Sequence, residues 1–214
     1  MLSYRPLKNN AGILLCGDYL TLKALHEVVH VVNEKSPLIH NRDGVFLSFA
    51  YDIRKAYEGQ RQVLQPAPHY PEIGIRYGVE MLWPMLLVQS RMLRASLAYF
   101  DSDKQQQSLA YALELVIETA IAQELKSQAD IITYRWSRID PAIPWPEQKI
   151  NGRSALFCSW SKAERLKKLP DLLASLDPMY PVFYEHAMKN GKPNLLSPEE
   201  LDEWDGMDWP DPKW

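Results

Sequence analysis

The chain has 214 residues, 46% of them hydrophobic and 24% charged, with a net charge of −3. That length supports one sizeable core, and the composition excludes a disordered, collagen-like or disulfide-stapled protein. The most apolar window, residues 79–88, is half a membrane span and is flanked or interrupted by Glu80, Gln89, Arg91 and Arg94, so no membrane segment is expected.

The first residues lack an apolar core of signal-peptide length. Cys16 and Cys158 sit among apolar neighbours and read as reduced, buried thiols. A soluble cytoplasmic protein is the expectation. Charge is unevenly placed: seven carboxylates against one lysine give residues 197–214 a net charge of −6, leaving +3 for the rest. The body has no long basic stripe, which argues against a nucleic-acid partner. The tail reads as a segment that docks on its own body or on a basic partner.

Residues 11–17 read as a short buried strand between glycines. Asp18 or Thr21 can cap a helix over 21–35, which Pro37 stops. A second helix is expected over 45–58, from Phe46, Phe49, Ala50, Ile53 and Tyr57 at helical spacing. Its first residues are equally compatible with a strand. Residues 62–74 read as a proline-punctuated loop. Two long helices follow, 77–100 and 104–127, joined as an antiparallel hairpin, with Ser102 and Gln105 as a capping box. Residues 131–136 have strand character, Pro141, Pro144 and Pro146 mark an extended connector, and Ser161/Glu164 and Ser197/Glu200 are further capping boxes. Pro170 is expected to bend or split the helix that Ser161 starts.

The pattern implies an α+β fold, predominantly helical: a short N-terminal β element, two medium helices, a long helical hairpin as core and an irregular C-terminal lobe. The expected division is a main region of residues 1–130 and a lobe of 131–214 packed on it.

His26-Glu27-Val28-Val29-His30 spells H-E-x-x-H. On a helix two histidines four apart share a face and can hold zinc, with Glu27 as general base on a metal-bound water. Leu22, Leu25, Val28, Val29 and Val32 form the apolar arc of this helix, so both histidines lie on its polar side. A zinc site needs a third ligand, for which Glu80 on the next long helix is the candidate, with His40 and His69 as alternatives. The other reading is an ordinary solvent-facing helix.

Asp140, Glu147 and Lys149 have the outline of a metal-dependent nuclease triplet, but the prolines beside them point to a surface loop. His186 beside Glu185 reads as a surface pair. Asp52, Arg54, Lys55, Glu58 and Arg61 form a charged face on the second helix, and Arg54, Lys55 and Arg61 are what a nucleic-acid module would use. In the tail, Trp204, Trp209 and Trp214, with Asp205 and Asp208, are too aromatic for an inert segment and are candidates for partner binding.

Two blocks carry a resemblance. Asn9-Asn10-Ala11-Gly12-Ile13 through Gly17-Asp18-Tyr19, with Leu22, Leu25 and His26, is similar to the opening of a bacterial family known by a domain-of-unknown-function label. Tyr51-Asp52-Ile53-Arg54, running on to Gly59 and Arg61, resembles that family's second block. The resemblance covers residues 8–61, extends loosely over the hairpin and implies no activity or cofactor. Its pattern holds no intact H-E-x-x-H. It does focus attention on Gly17, Asp18, Tyr19, Tyr51, Asp52 and Arg54. With no complete catalytic set, the leading expectation is a non-catalytic protein acting by protein–protein contact, of immunity, antitoxin or defence-accessory type. The alternative is a zinc-dependent hydrolase.

Overall fold

A turn of two asparagines shapes the start of the chain in the computed structural model, which describes residues 1–66, 68–191 and 195–211. Strand β1 (Ser3–Pro6) reverses into β2 (Gly12–Gly17) through Asn9 and Asn10, whose φ angles of 53° and 54° fall in the left-handed region that asparagine tolerates. Strand β4 (Arg76–Leu82) pairs with the other edge of β2, from Gly12 opposite Leu82 to Gly17 opposite Tyr77. The short β3 (Gln62–Leu64) closes the antiparallel sheet in the order β1-β2-β4-β3. Alternation sends Ile13, Leu15, Val79 and Met81 into the core. A methyl group on Gly12 would lie 1.9 Å from the Met81 carbonyl oxygen, so β2 and β4 reach this separation only with glycine there.

Helix α1 (Tyr19–Lys35) starts at Asp18, whose Oδ1 accepts the Thr21 amide at 2.9 Å. It buries the expected arc of Leu22, Leu25, Val28, Val29 and Val32 against α2 (Val45–Tyr57), which is helical from its first residue. The predicted 77–100 helix divides instead. Its first quarter is β4, and α3 (Trp83–Ser96) begins with Pro84 in its opening turn, where a missing N–H costs nothing. Glu80 therefore sits on a strand, opposite Leu14, and not on a helix. The second arm of the hairpin, α4 (Lys104–Glu124), is capped by Asp103 with Gln106, one residue beyond the expected pair. The Ser102 hydroxyl donates instead to the Leu97 carbonyl.

The C-terminal part is helical where it was expected to be irregular. Residues 131–136 lie in α5 (Ala129–Arg138), because Ile132 and Trp136, four apart, are its buried pair. The connector prolines lead into α6 (Trp145–Ser159), with Pro146 in its first turn. Helix α7 (Lys162–Ala174) is started by the predicted Ser161/Glu164 capping box and continues through Pro170 to Ala174. Helix α8 (Tyr180–Lys189) and the short α9 (Pro198–Asp202), capped by Ser197, complete the order. One cluster of buried apolar residues runs from Leu2 to Leu201 and includes side chains from both halves of the chain. At its centre α3 buries eleven of its fourteen residues and is touched by α1, α2, α4, α5, α6, α7 and β4. Both cysteines are free and buried, and burial pushes the Cys158 thiol up to about 11. Among the described residues no helix is long and apolar enough to cross a membrane.

Gly12→Ala should lower stability by about 3 kcal/mol, because the methyl meets backbone that cannot move aside. Urea denaturation of the variant against the parent chain measures it.

Candidate functional site

The two sequence blocks meet where α1 crosses α2. His26, His30, Asp43, Gly44, Leu47, Ser48, Tyr51 and Arg54 line a groove of about 290 Å³ there. The imidazoles of His26 and His30 lie 4.5 Å apart, centre to centre, at 70° to one another. Tyr57 presents its ring edge-on to His26 at 5.7 Å, and Tyr19 packs edge-on against Tyr57 at 5.5 Å. A continuous run of aromatic and imidazole rings thus crosses the α1–α2 junction. Tyr51 stands half out of the surface, with the Arg54 guanidinium 5.4 Å and the Lys55 ammonium 5.2 Å from its ring centre. Asp52 turns away to pair with Arg61 at 2.9 Å, and Arg54 lies 3.9 Å from Glu58. The charged face on α2 is therefore locally paired.

Burial holds the pKa of His26 below the ordinary histidine value, and the nearby His30 and Arg54 reinforce the shift. A neutral imidazole is the form that can accept a hydrogen bond or ligate a metal.

The arrangement separates the residues that the zinc reading would bring together. Glu27 is exposed and points along the helix to Lys23, 3.9 Å away. Glu80 accepts a hydrogen bond from Gln62 at 2.8 Å and lines cavities on the sheet, not the histidine groove. His69 is an exposed loop residue, and His40 is engaged through its backbone amide, which donates to Glu147 at 3.1 Å. Among the described residues no three His, Cys, Asp or Glu side chains are grouped so as to hold a metal ion. Of the nuclease-like triplet, Asp140 is exposed in a loop as expected, whereas Glu147 is buried in the first turn of α6, accepting the amides of His40 and Asn41, and burial raises its pKa. His186 contacts Asn190, four residues on.

Two of the five tail candidates, Trp204 and Asp205, belong to the fold. Arg153 on α6, 2% exposed, donates to the Leu201 carbonyl at 2.6 Å and pairs with Asp202 and Asp205 at 3.4 Å each. Lys149 pairs with the same two carboxylates. Trp204 packs on the core, and its backbone lies so close to α6 that a methyl on Gly152 would sit 2.9 Å from its carbonyl oxygen. The acidic segment thus docks on the chain's own body. Lys149, Gly152 and Arg153 are its receptor; the sequence signal was a basic pair four apart on one helix face. Trp209 and Asp208 stay exposed, Trp209 flanking a cavity with Met85 and Asp52. Trp214 lies outside the described residues.

A family model described as a domain of unknown function (DUF6904) matches residues 2–214, well beyond the two blocks at its start. No curated protein and no solved structure matches the chain.

Two measurements follow from this geometry. The unfolded chain takes up a proton at His26 near pH 6.5, before the folded protein does, so stability should fall as pH drops through the window just below about 6.5. Thermal melts between pH 7 and 5.5 should show that slope shrinking in His26→Gln. Asp205→Ala should cost about 2 kcal/mol, because a buried guanidinium loses a partner. Asp208→Ala should stay within about 0.5 kcal/mol. Denaturant titration of both variants makes the comparison.

Proposed function

We propose a non-catalytic binding function for this chain, which belongs to the family of the domain of unknown function DUF6904. The α1–α2 groove and its rim are the docking surface, and the partner is a protein. The observation that carries this reading is the convergence of Tyr19, Tyr51 and Arg54, from two separate sequence blocks, around a surface run of aromatic and imidazole rings. Tyrosine and arginine are the side chains that dominate protein interfaces, since each offers a large contact area together with a polar end. Here the rings are already held by one another, so little rotamer freedom is left to lose on binding. Two free, buried thiols support a reducing, cytoplasmic setting.

A second reading keeps His26 and His30 as zinc ligands of a hydrolase, favoured by the proximity of their rings over an open groove. It requires a third donor to move in. Metal analysis of untagged protein tests it: about one zinc per chain, lost in His26→Ala, would establish it in place of the docking proposal.

Tyr51→Ala and Arg54→Ala should each cost about 2 kcal/mol of partner affinity, a loss of roughly thirtyfold. Trp209→Ala should leave it unchanged. Quantitative co-purification from the source cells reads the outcome. Undiminished capture by the Tyr51→Ala/Arg54→Ala double variant would refute the α1–α2 assignment.

A further inference from the structure

A second concavity, on a different face, lies between α5, α7 and α8 and measures about 200 Å³. Its walls are chemically divided. Arg135 and Arg138, one turn apart at the end of α5, supply two guanidinium groups, while Tyr134, Met179 and Phe183 supply apolar surface. Among the described residues neither arginine forms an ion pair, and Arg135 Nε is buried without a hydrogen-bond partner. A buried donor left in that state is costly unless something comes to accept from it. The Arg135 guanidinium sits 5.8 Å from the Tyr134 ring centre and 5.9 Å from that of Phe183, which fixes its position between two aromatic faces.

Two carboxylates lie nearby. Asp177 is itself part of the lining, and its Oδ1 accepts the Met179 amide at 2.9 Å within its own turn. Asp171 feels the field of Arg135, but burial holds its carboxyl above the ordinary pKa. Around the mouth, Tyr134, Met179 and Phe183 are each more than two-fifths exposed, an unusual concentration of large apolar side chains in water.

We propose that this cavity binds a carboxylate carried on an aromatic body. The guanidinium groups of Arg135 and Arg138 take the carboxylate, a match of planar donor fork to planar acceptor. The ring occupies the apolar half. The size is right: a cavity of roughly 150 Å³ holds benzene, so this one admits a benzene ring with a short acidic arm. Neither histidine of the α1–α2 groove takes part, so the two assignments stand or fall separately. A free arylalkanoic acid and the C-terminal phenylalanine of a peptide present the same chemistry.

Titration of the full-length chain with phenylacetate, phenylacetamide and N-acetyl-glycyl-phenylalanine, by calorimetry or ligand-observed NMR, tests the assignment. Saturable binding of phenylacetate at one site is expected, with the neutral amide weaker by about tenfold or more. Arg135→Gln and Arg138→Gln should each reduce acid affinity by about tenfold and leave the amide unaffected. Phe183→Ala should weaken acid and amide alike, and melting curves establish that each variant is folded. Tighter binding of phenylacetate or of the peptide identifies which source the site serves. Equal affinity for acid and amide, no saturable binding by either acid, or acid affinity unchanged in both folded arginine variants would overturn the proposal.

Discussion

Helix α3 buries eleven of its fourteen residues, so every face of it has to be covered by another element. A helix with no solvent side forces the rest of the chain to wrap it, and α1, α2, α4, α5, α6 and α7 all do so. The polar groups it carries inward need partners. Gln89 donates to the Val45 carbonyl at 2.7 Å and to Ser48 at 3.2 Å, fixing the start of α2. Trp136 donates to the Leu87 carbonyl at 2.9 Å, locking α5, and Ser96 meets Ser36 at 2.8 Å just beyond α1. Apolar burial supplies most of the driving force at ~1.5–3 kcal/mol for each large side chain. The hydrogen bonds decide which orientation of each surrounding helix is allowed.

Two buried arginines extend this control to the chain's ends. Arg165, fully buried on α7, donates to the carbonyls of Phe157 and Cys158 at the close of α6 and to that of Asn9 in the β1–β2 turn. A cation at a helix C-terminus meets carbonyls already carrying partial negative charge, which offsets part of the cost of burying it. Arg153 plays the same part for the acidic C-terminal segment. Two of the seven carboxylates of that segment, Asp202 and Asp205, are thus paired inside the molecule, with Lys149 and Arg153. On the α1–α2 face, by contrast, exposed rings are held by one another.

The residues of the two sequence blocks divide by role. Asn9, Asn10, Gly12 and Asp18 set backbone geometry: a left-handed turn, a close strand approach and a helix cap. Tyr19, Tyr51 and Arg54 do little for the core and instead shape the groove rim. The H-E-x-x-H run belongs to the second group through its histidines alone, since Glu27 faces Lys23 and Glu80 belongs to the sheet. What began as a five-residue pattern is, in three dimensions, a pair of imidazoles on an aromatic surface.

By itself the sequence determined what local physics controls. The apolar arc of α1, the body of the helix expected over 45–58, the Ser161 and Ser197 caps, the hairpin between α3 and α4 and the buried thiols were all legible, because each depends on residues within a turn or two of one another. Tertiary structure alone decided the rest. Residues 76–82 are a strand because β2 offers them an edge, and residues 131–136 are a helix because Ile132 and Trp136 find a pocket against α3 and its neighbours. Whether Trp204 and Asp205 reach outward or inward turned on Arg153 and Gly152, some fifty residues earlier. Where Glu80 lies turned on the pairing of β4 with β2, which places it on the sheet beside Gln62. Long-range contacts of this kind carry energies equal to or larger than local propensity, and their partners leave no periodic mark in the chain.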